Sequence, residues 1–288
     1  MISILNSKTK VIYNELGYIH YRPSSSGYMS LINQCFDYYR RSLQSNKLQK
    51  DFKNKDGIAK HIIDIFNDKS SKALDIYRHE EITKLVDLLN ENNKFCYYTH
   101  SKLSFKEPHK ETDWYPHQDN AYKKINDHRD GFAILICLEK MNDDNGCLQL
   151  FPESHKLKTL KHERIIEDPT SGDAQLKILE LPMIDPISIT AERGDIILFH
   201  NDMIHQSKSS TVNSHRFTFI SEIEFSDKIK LDDYGKVPVV AFGSYTLSKK
   251  LNLYFLYLIN LRNKWLFLKK YFPKLSNYIK RLWLNLNN

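Results

Sequence analysis

The chain has 288 residues, 41% hydrophobic and 12% aromatic, with only nine Gly and nine Pro, so it can bury a substantial core. That composition excludes global disorder, collagen-like repeats and Pro-rich linkers, and its length suits one large domain or two small ones. The formal charge is +7, but residues 245–288 hold nine Lys or Arg and no acid, leaving −2 for the rest. The basic character belongs to the tail, and no nucleic-acid partner is expected.

Cys35, Cys96, Cys137 and Cys147 show no paired spacing. They read as small buried apolar residues in a reducing cytoplasm. The N-terminal "MISILNSKTKVIY" has no apolar run of signal-peptide length. No stretch reaches the roughly 18 apolar residues of a spanning helix, so a cytoplasmic location is expected.

The first 94 residues read as mixed and largely helical. "YMSLINQCFDYYRRSLQ" places Leu31, Ile32, Cys35, Phe36 and Tyr39 on one helical face. "DGIAKHIIDIFND" (56–68) and "HEEITKLVDLLNENN" (79–93) continue that pattern, the second ending at an Asn-rich break. Strands follow. "KFCYYTHSKLSF" is aromatic and roughly alternating, whereas "DGFAILICLEKM" is a continuous apolar run suited to a strand buried on both faces. "GCLQLFPESHK" reads as a short strand entering a turn, and "RGDIILFHNDMIHQS" and "HRFTFISEIEF" as further strands. Residues 156–190 are charged and irregular, long for a connection, and suggest a lid or binding loop. The pattern predicts a mainly β sandwich or barrel with flanking helices.

Within "WYPHQDNAY" (114–122), His117 and Asp119 lie two apart. On a strand both would project to one side, one neutral nitrogen beside one anionic oxygen. Two His and one carboxylate form a facial triad that binds a divalent metal and leaves positions open. His205 in "FHNDMIHQS" is the candidate for the second His, with His200 as its local rival. Arg216, eleven residues after His205 and next to His215, opens the following strand and is placed to clamp a carboxylate.

With "HQDNAY" (117–122), "NGCLQLFPESH" (145–155), "RGDIILFHNDMIHQS" (193–207) and Arg216 in this order, the sequence resembles the phytanoyl-CoA dioxygenase (PhyH-like) family of Fe(II)/2-oxoglutarate oxygenases. The resemblance covers roughly residues 95–225. It implies a double-stranded β-helix, a cupin-like jelly roll, over about 95–230, within one dioxygenase domain spanning 1–244. It implies that His117, Asp119 and His205 bind Fe(II), that Arg216 pairs with the distal carboxylate of 2-oxoglutarate, and that Ser207 and Gln118 help hold this co-substrate. With O2 as second co-substrate, the implied reaction hydroxylates an unactivated C–H of a small-molecule, lipid-linked or sugar-linked substrate, giving succinate and CO2. Asp119 occupies the position that halogenating relatives leave vacant, which favours hydroxylation, or a desaturation or ring closure derived from it. A catalytically silent cupin-like metal-binding module is the alternative. The chain departs from the family pattern at Gln206, Ser210, Leu135 and in its "PESH" turn, where Pro-Gly-Ser-His is usual.

His155, Trp114, Tyr115 and Tyr122 are candidates to line the pocket, and Lys102, Lys106 and Arg129 to meet an anionic substrate; each also has an ordinary structural reading. The tail 245–288 has two readings: a basic helix packed on the barrel, or an interfacial amphipathic helix on anionic membrane, making the protein a membrane-surface adaptor.

Overall fold

The computed structural model describes residues 1–44, 52–53, 59–63, 65–90, 94–110, 112–123, 130–168, 173–226 and 237–238. Its helices are α1 (Ser7–Leu16), α2 (Ser26–Gln44), α3 (Ala73–Tyr77) and α4 (Glu80–Leu89). Its strands are β1 (Tyr18–Tyr21), β2 (Phe52–Lys53), β3 (Ala59–Ile63), β4 (Phe95–Lys106), β5 (Trp114–His117), β6 (Gly131–Cys137), β7 (Leu148–Leu150), β8 (His162–Asp168), β9 (Asp173–Ile178), β10 (Ile187–Ile189), β11 (Ile196–His200), β12 (His205–Ser207), β13 (Arg216–Ser226) and β14 (Val237–Pro238).

The larger sheet runs β1-β11-β6-β13-β4-β3-β2, with β14 also paired to β4. The smaller runs β10-β7-β12-β5, and β8 and β9 form a separate hairpin. The apolar run of "FAILIC" explains why β6 sits inside the larger sheet: each of its residues is buried. Phe132, Ile134 and Ile136 face outward with Ile196 and Leu198 of β11 and Phe217 and Phe219 of β13, in a core completed by α2 and α4. Ala133, Leu135 and Cys137 face inward with Ile197 and Phe199, against Leu148, Leu150 and Ile189 of the smaller sheet. The period of two therefore serves two cores, one helix-on-sheet and one sheet-on-sheet. The architecture is the mainly β, cupin-like double-stranded β-helix with flanking helices that the resemblance implies.

The helices follow from their patterning. α2 buries Ile32, Cys35, Phe36 and Tyr39, with Leu31 packed at the margin. Each fully buried large apolar side chain contributes about 1.5–3 kcal/mol, more than propensity alone supplies. α4 buries Ile82, Leu85, Val86 and Leu89, and also Glu81, whose carboxylate accepts the Tyr21 hydroxyl at 2.5 Å.

Three expectations are corrected. The helix expected over 56–68 is not found in its described part: Ala59–Ile63 is β3, paired with β4 through His61↔Ser104 and Ile62↔Leu103, and Ile65–Asn67 is a 3-10 turn. The open edge of β4 supplies hydrogen-bond partners that outweigh a weak helical periodicity in a segment with two adjacent β-branched isoleucines. The segment 156–190 is not irregular throughout, since it contains the β8–β9 hairpin and β10. The N-terminal part also contributes β1, which pairs with β11 and completes that edge of the larger sheet. In the "PESH" turn, Glu153 stands at φ 65, a left-handed conformation that costs an L-residue about 1 kcal/mol and glycine nothing. That is the physical reason for glycine at this place in the family pattern.

By its contacts the chain divides into two units, one of Met1–Lys228 with Tyr234–Val240, the other of Ile229–Asp233 with Ala241–Asn288. The second unit, and with it the tail, lies outside the described residues, as does Arg129. Among the described residues no helix is long and apolar enough to cross a membrane.

A buried charge cluster ties β1 to the turn before β11. The Asp195 carboxylate, 1% exposed, accepts Arg22 Nε and Nη2, both at 2.7 Å, and His20 Nε2 at 2.9 Å. Burial alone would raise this carboxyl, but the hydrogen bonds from Arg22 and His20 outweigh it and hold the group at about 2. A depressed folded-state value stabilises the fold above the ordinary carboxylate range, and that contribution disappears as pH falls through the folded value. Asp195→Asn is expected to lower stability at neutral pH by about 2 kcal/mol. Urea unfolding should also show a flatter stability profile between pH 4 and 2 than wild type; parallel profiles would contradict the assignment.

Candidate metal centre

The site is built on the pairing of β5 with β12. His205 faces His117 across this pair, while Ser207 faces Trp114. Two steps along β12 therefore match three along β5, so β5 carries a bulge. The bulge brings Trp114 and His117, an odd number of residues apart, to the same cleft. Strict alternation would have placed them on opposite faces.

β5 ends at His117, and Asp119 opens a 3-10 turn, Asp119–Tyr122, rather than continuing a strand. Gln118 between them is extended (φ −126, ψ 135), so the two flanking side chains still project together. The ligand atoms of buried His117, Asp119 and His205 lie within 4.8 Å of one another. Asp119 Oδ1 is 3.7 Å from His205 Nε2.

Both imidazoles are held in one tautomer. His117 Nδ1 donates to the Tyr115 carbonyl at 2.6 Å, and His205 Nδ1 donates to the Met203 carbonyl at 3.0 Å. A carbonyl only accepts, so each Nδ1 carries the proton and each Nε2 presents a lone pair. Burial, reinforced by His205, lowers His117 to about 3, and burial lowers His205 to about 4. Both rings are thus neutral at physiological pH, as metal ligands must be. Among the described residues no Lys or Arg pairs with the Asp119 carboxylate.

The cleft between the sheets holds about 550 Å³ of empty space, its open mouth included, and the three residues share it with Arg216, Ser207, Trp114 and Lys102. Arg216 is 3% exposed, and burial lowers its guanidinium to about 10. Its Nη1 donates to the Gly146 carbonyl at 2.5 Å, while its buried Nε has no partner. Gly146 has φ 71, and a Cβ there would stand 2.2 Å from the Lys208 carbonyl oxygen, so glycine is required to bring this carbonyl under the guanidinium. The fork thus keeps donor capacity for an incoming anion.

Gln118 is placed otherwise than the resemblance implies. Its amide turns away from the cleft, donating to the carbonyls of Lys158 (2.8 Å) and Asp202 (2.6 Å) and accepting from Leu160 N (2.8 Å). The extended backbone that brings its neighbours together sends its own side chain backward. His200 accepts the Asp202 N–H and packs against His155 outside the cleft. His155 in turn meets the Asn14 carbonyl at 3.2 Å, and Lys106 Nζ donates to the Thr112 carbonyl. Tyr115 and Tyr122 are exposed and do not line the cleft, with Tyr122 edge-on to His117.

Sequence reasoning missed the support behind β5. Buried Gln175 of β9 accepts the Tyr115 N–H at 3.1 Å and donates to the Asp113 carbonyl at 3.0 Å. His162 of β8 donates Nδ1–H to the Leu160 carbonyl, so its Nε2 accepts the Gln118 N–H at 3.2 Å. The hairpin thus grips the bulged segment on both sides of His117. No pattern in the charged connection marks these two residues, because their role exists only once the hairpin folds back. Gln175→Ala is expected to weaken Co(II) binding about tenfold while circular dichroism stays native, a loss checked by titration calorimetry. Unchanged affinity would remove this positioning role.

Residues 14–217 match the phytanoyl-CoA dioxygenase (PhyH) family. "Phytanoyl-CoA dioxygenase 1" of Oryza sativa subsp. japonica is 33% identical over 108 residues, 37% of this chain and 37% of the rice protein. "Phytanoyl-CoA dioxygenase" of Arabidopsis thaliana is 29% identical over 130 residues, 45% of each chain. These alignments span less than half the length of the curated relatives. Among solved structures, the α-ketoglutarate-dependent carbocyclase SnoK from nogalamycin biosynthesis has a TM-score of 0.60 at 16% identity, covering 78% of this chain and 88% of its own. EctD from S. alaskensis, crystallised with 2-oxoglutarate and 5-hydroxyectoine, has a TM-score of 0.60 at 15% identity, covering 77% and 76%. These likenesses carry the fold. A family match over most of the chain, on a jelly roll that brings two neutral imidazoles and a carboxylate together beside a buried guanidinium, places the chain in the phytanoyl-CoA dioxygenase family.

Proposed function

We propose that this protein is an Fe(II)- and 2-oxoglutarate-dependent dioxygenase that hydroxylates a C–H bond of a small-molecule, lipid-linked or sugar-linked substrate. The observation that carries the proposal is the convergence of His117, Asp119 and His205 in one buried cluster. Two lone pairs aimed by backbone carbonyls and one carboxylate with which no described Lys or Arg pairs suit a divalent cation. A buried carboxylate with no counter-charge is otherwise costly. Family membership and the cofactors named with the structural relatives support the same reading.

In this reading His117, Asp119 and His205 hold the metal from one side. Bound iron with 2-oxoglutarate and O2 supplies the oxidising chemistry, releasing succinate and CO2. Arg216 binds the distal carboxylate of 2-oxoglutarate with the donors it does not spend on Gly146, and Ser207 lines the same cleft and helps hold this co-substrate. Leu135, Leu148 and Phe199 line the cleft with apolar surface and keep water out. Gln118 serves from behind, tying the segment between the first two ligands to residues 158–160 and 202. Asp119 stands in the first coordination set, which favours hydroxylation over halogen transfer.

Asp119→Ala and His205→Ala are each expected to abolish Fe(II)-dependent succinate formation and to lose Co(II) binding by calorimetry. Full activity in either variant refutes the metal assignment. Metal binding by wild type with no O2-dependent succinate, under any substrate screen, would favour the silent cupin-like module instead. Arg216→Met is expected to raise the KM for 2-oxoglutarate at least about 30-fold, the cost of removing one partner from a buried charge pair. A KM within twofold of wild type would assign the guanidinium another role.

A further inference from the structure

The cleft contains a second cation that the reaction above leaves unused. Lys102 lies on β4, half-buried, and lines the same cavity as the triad. Its Nζ stands 5.6 Å from the centre of the Trp114 ring. Among the described residues no carboxylate pairs with it. The β4–β13 register sets it opposite Ile220, whereas Arg216 lies opposite Lys106. Lys102 and Arg216 therefore share the inner face of the larger sheet, their backbone positions separated along it by four residues, roughly 13 Å. A five-carbon dianion spans only about 5 Å between its terminal carbons, at roughly 1.5 Å per bond, so one held by Arg216 does not cover that whole length of the face.

The charges give the same result. Resting on the dioxygenase reading, the occupied cleft would contain a divalent metal, Asp119, Arg216, Lys102 and a dianionic co-substrate. The imidazoles add nothing. One positive charge is left over, and it is on Lys102. A partly desolvated ammonium facing an apolar wall is stabilised by an anion brought to it.

We propose that Lys102 is the specificity-determining anchor for an anionic group of the primary substrate, a carboxylate or a phosphate, with the adjoining hydrocarbon laid against Trp114. The substrates of this protein are then acids rather than neutral molecules. The indole places a reporter beside the proposed anion, because an acid docking on Lys102 alters the cation–ring contact.

The test uses the full chain loaded with Zn(II) and 2-oxoglutarate, which is redox-inert. Straight-chain carboxylates from butanoate to dodecanoate, the matching alkyl phosphates, and the methyl esters as uncharged controls are titrated while Trp emission is followed. Trp114→Phe assigns the signal. Saturable binding is expected for the acids or for the phosphates, whichever tighter series names the group, and not for the esters. Lys102→Met should weaken it at least about tenfold, with Lys102→Gln as a second neutral variant; Lys102→Arg should stay within about threefold. Calorimetry should show 2-oxoglutarate affinity unchanged in Lys102→Met. Equal acid binding by wild type and Lys102→Met, ester binding as tight as acid binding, or no binding by either anionic series overturns the proposal. Loss of 2-oxoglutarate affinity in Lys102→Met also overturns it and gives the residue to the co-substrate. Failure of wild type to take up Zn(II) and 2-oxoglutarate, seen before any acid is added, overturns the dioxygenase reading together with this one.

Discussion

The antiparallel pairing of β5 with β12 is the constraint on which the site depends. It sets His117 across from His205, and neither sequence neighbour of either residue could do so. Backbone hydrogen bonds act twice here. Between strands they set the register, and from the Tyr115 and Met203 carbonyls they choose the tautomer of each ring. The bulge in β5 adds the third element of control, turning an indole and an imidazole toward one cavity. A slip of one residue in this pairing would send a ligand into the opposite face.

Charge burial explains the surroundings. The cleft keeps Asp119 and Arg216 largely from water, and the buried Arg216 Nε has no protein partner. Such a site is unfavourable as a resting arrangement and favourable for ligands that complete it. The remainder of the fold sustains that cost. The helical layer packs against the outer face of the larger sheet, and the β8–β9 hairpin closes over the back of β5 through Gln175 and His162. The charged segment that reads as a loop is in this way part of the scaffold of the site.

Much was legible without coordinates. The apolar run of β6, the alternation of β13 and the helical faces of α2 and α4 each report local burial directly, because period and burial have one cause. The ordered motifs that carry the family resemblance lie around His117, Asp119, His205 and Arg216, and the spacing to Arg216 favoured His205 over its rival His200. What misled was local signal under tertiary control. Residues 59–63 have a helical spacing too short to compete with the free edge of β4, and β1 is too short to announce itself. Gln118 was misplaced because a position between two ligands says nothing of where its side chain finds partners.

By itself, then, the sequence determined which residues could be apolar faces and which side chains were chemically able to bind a metal. Only the tertiary structure decided that those side chains meet, that Gln175 and His162 stand behind them, and that Lys102 looks into the same cavity. The reason is that hydrophobic periodicity is a property of consecutive residues, whereas a site made from β4, β5, β12 and β13 is a property of strand register across the fold.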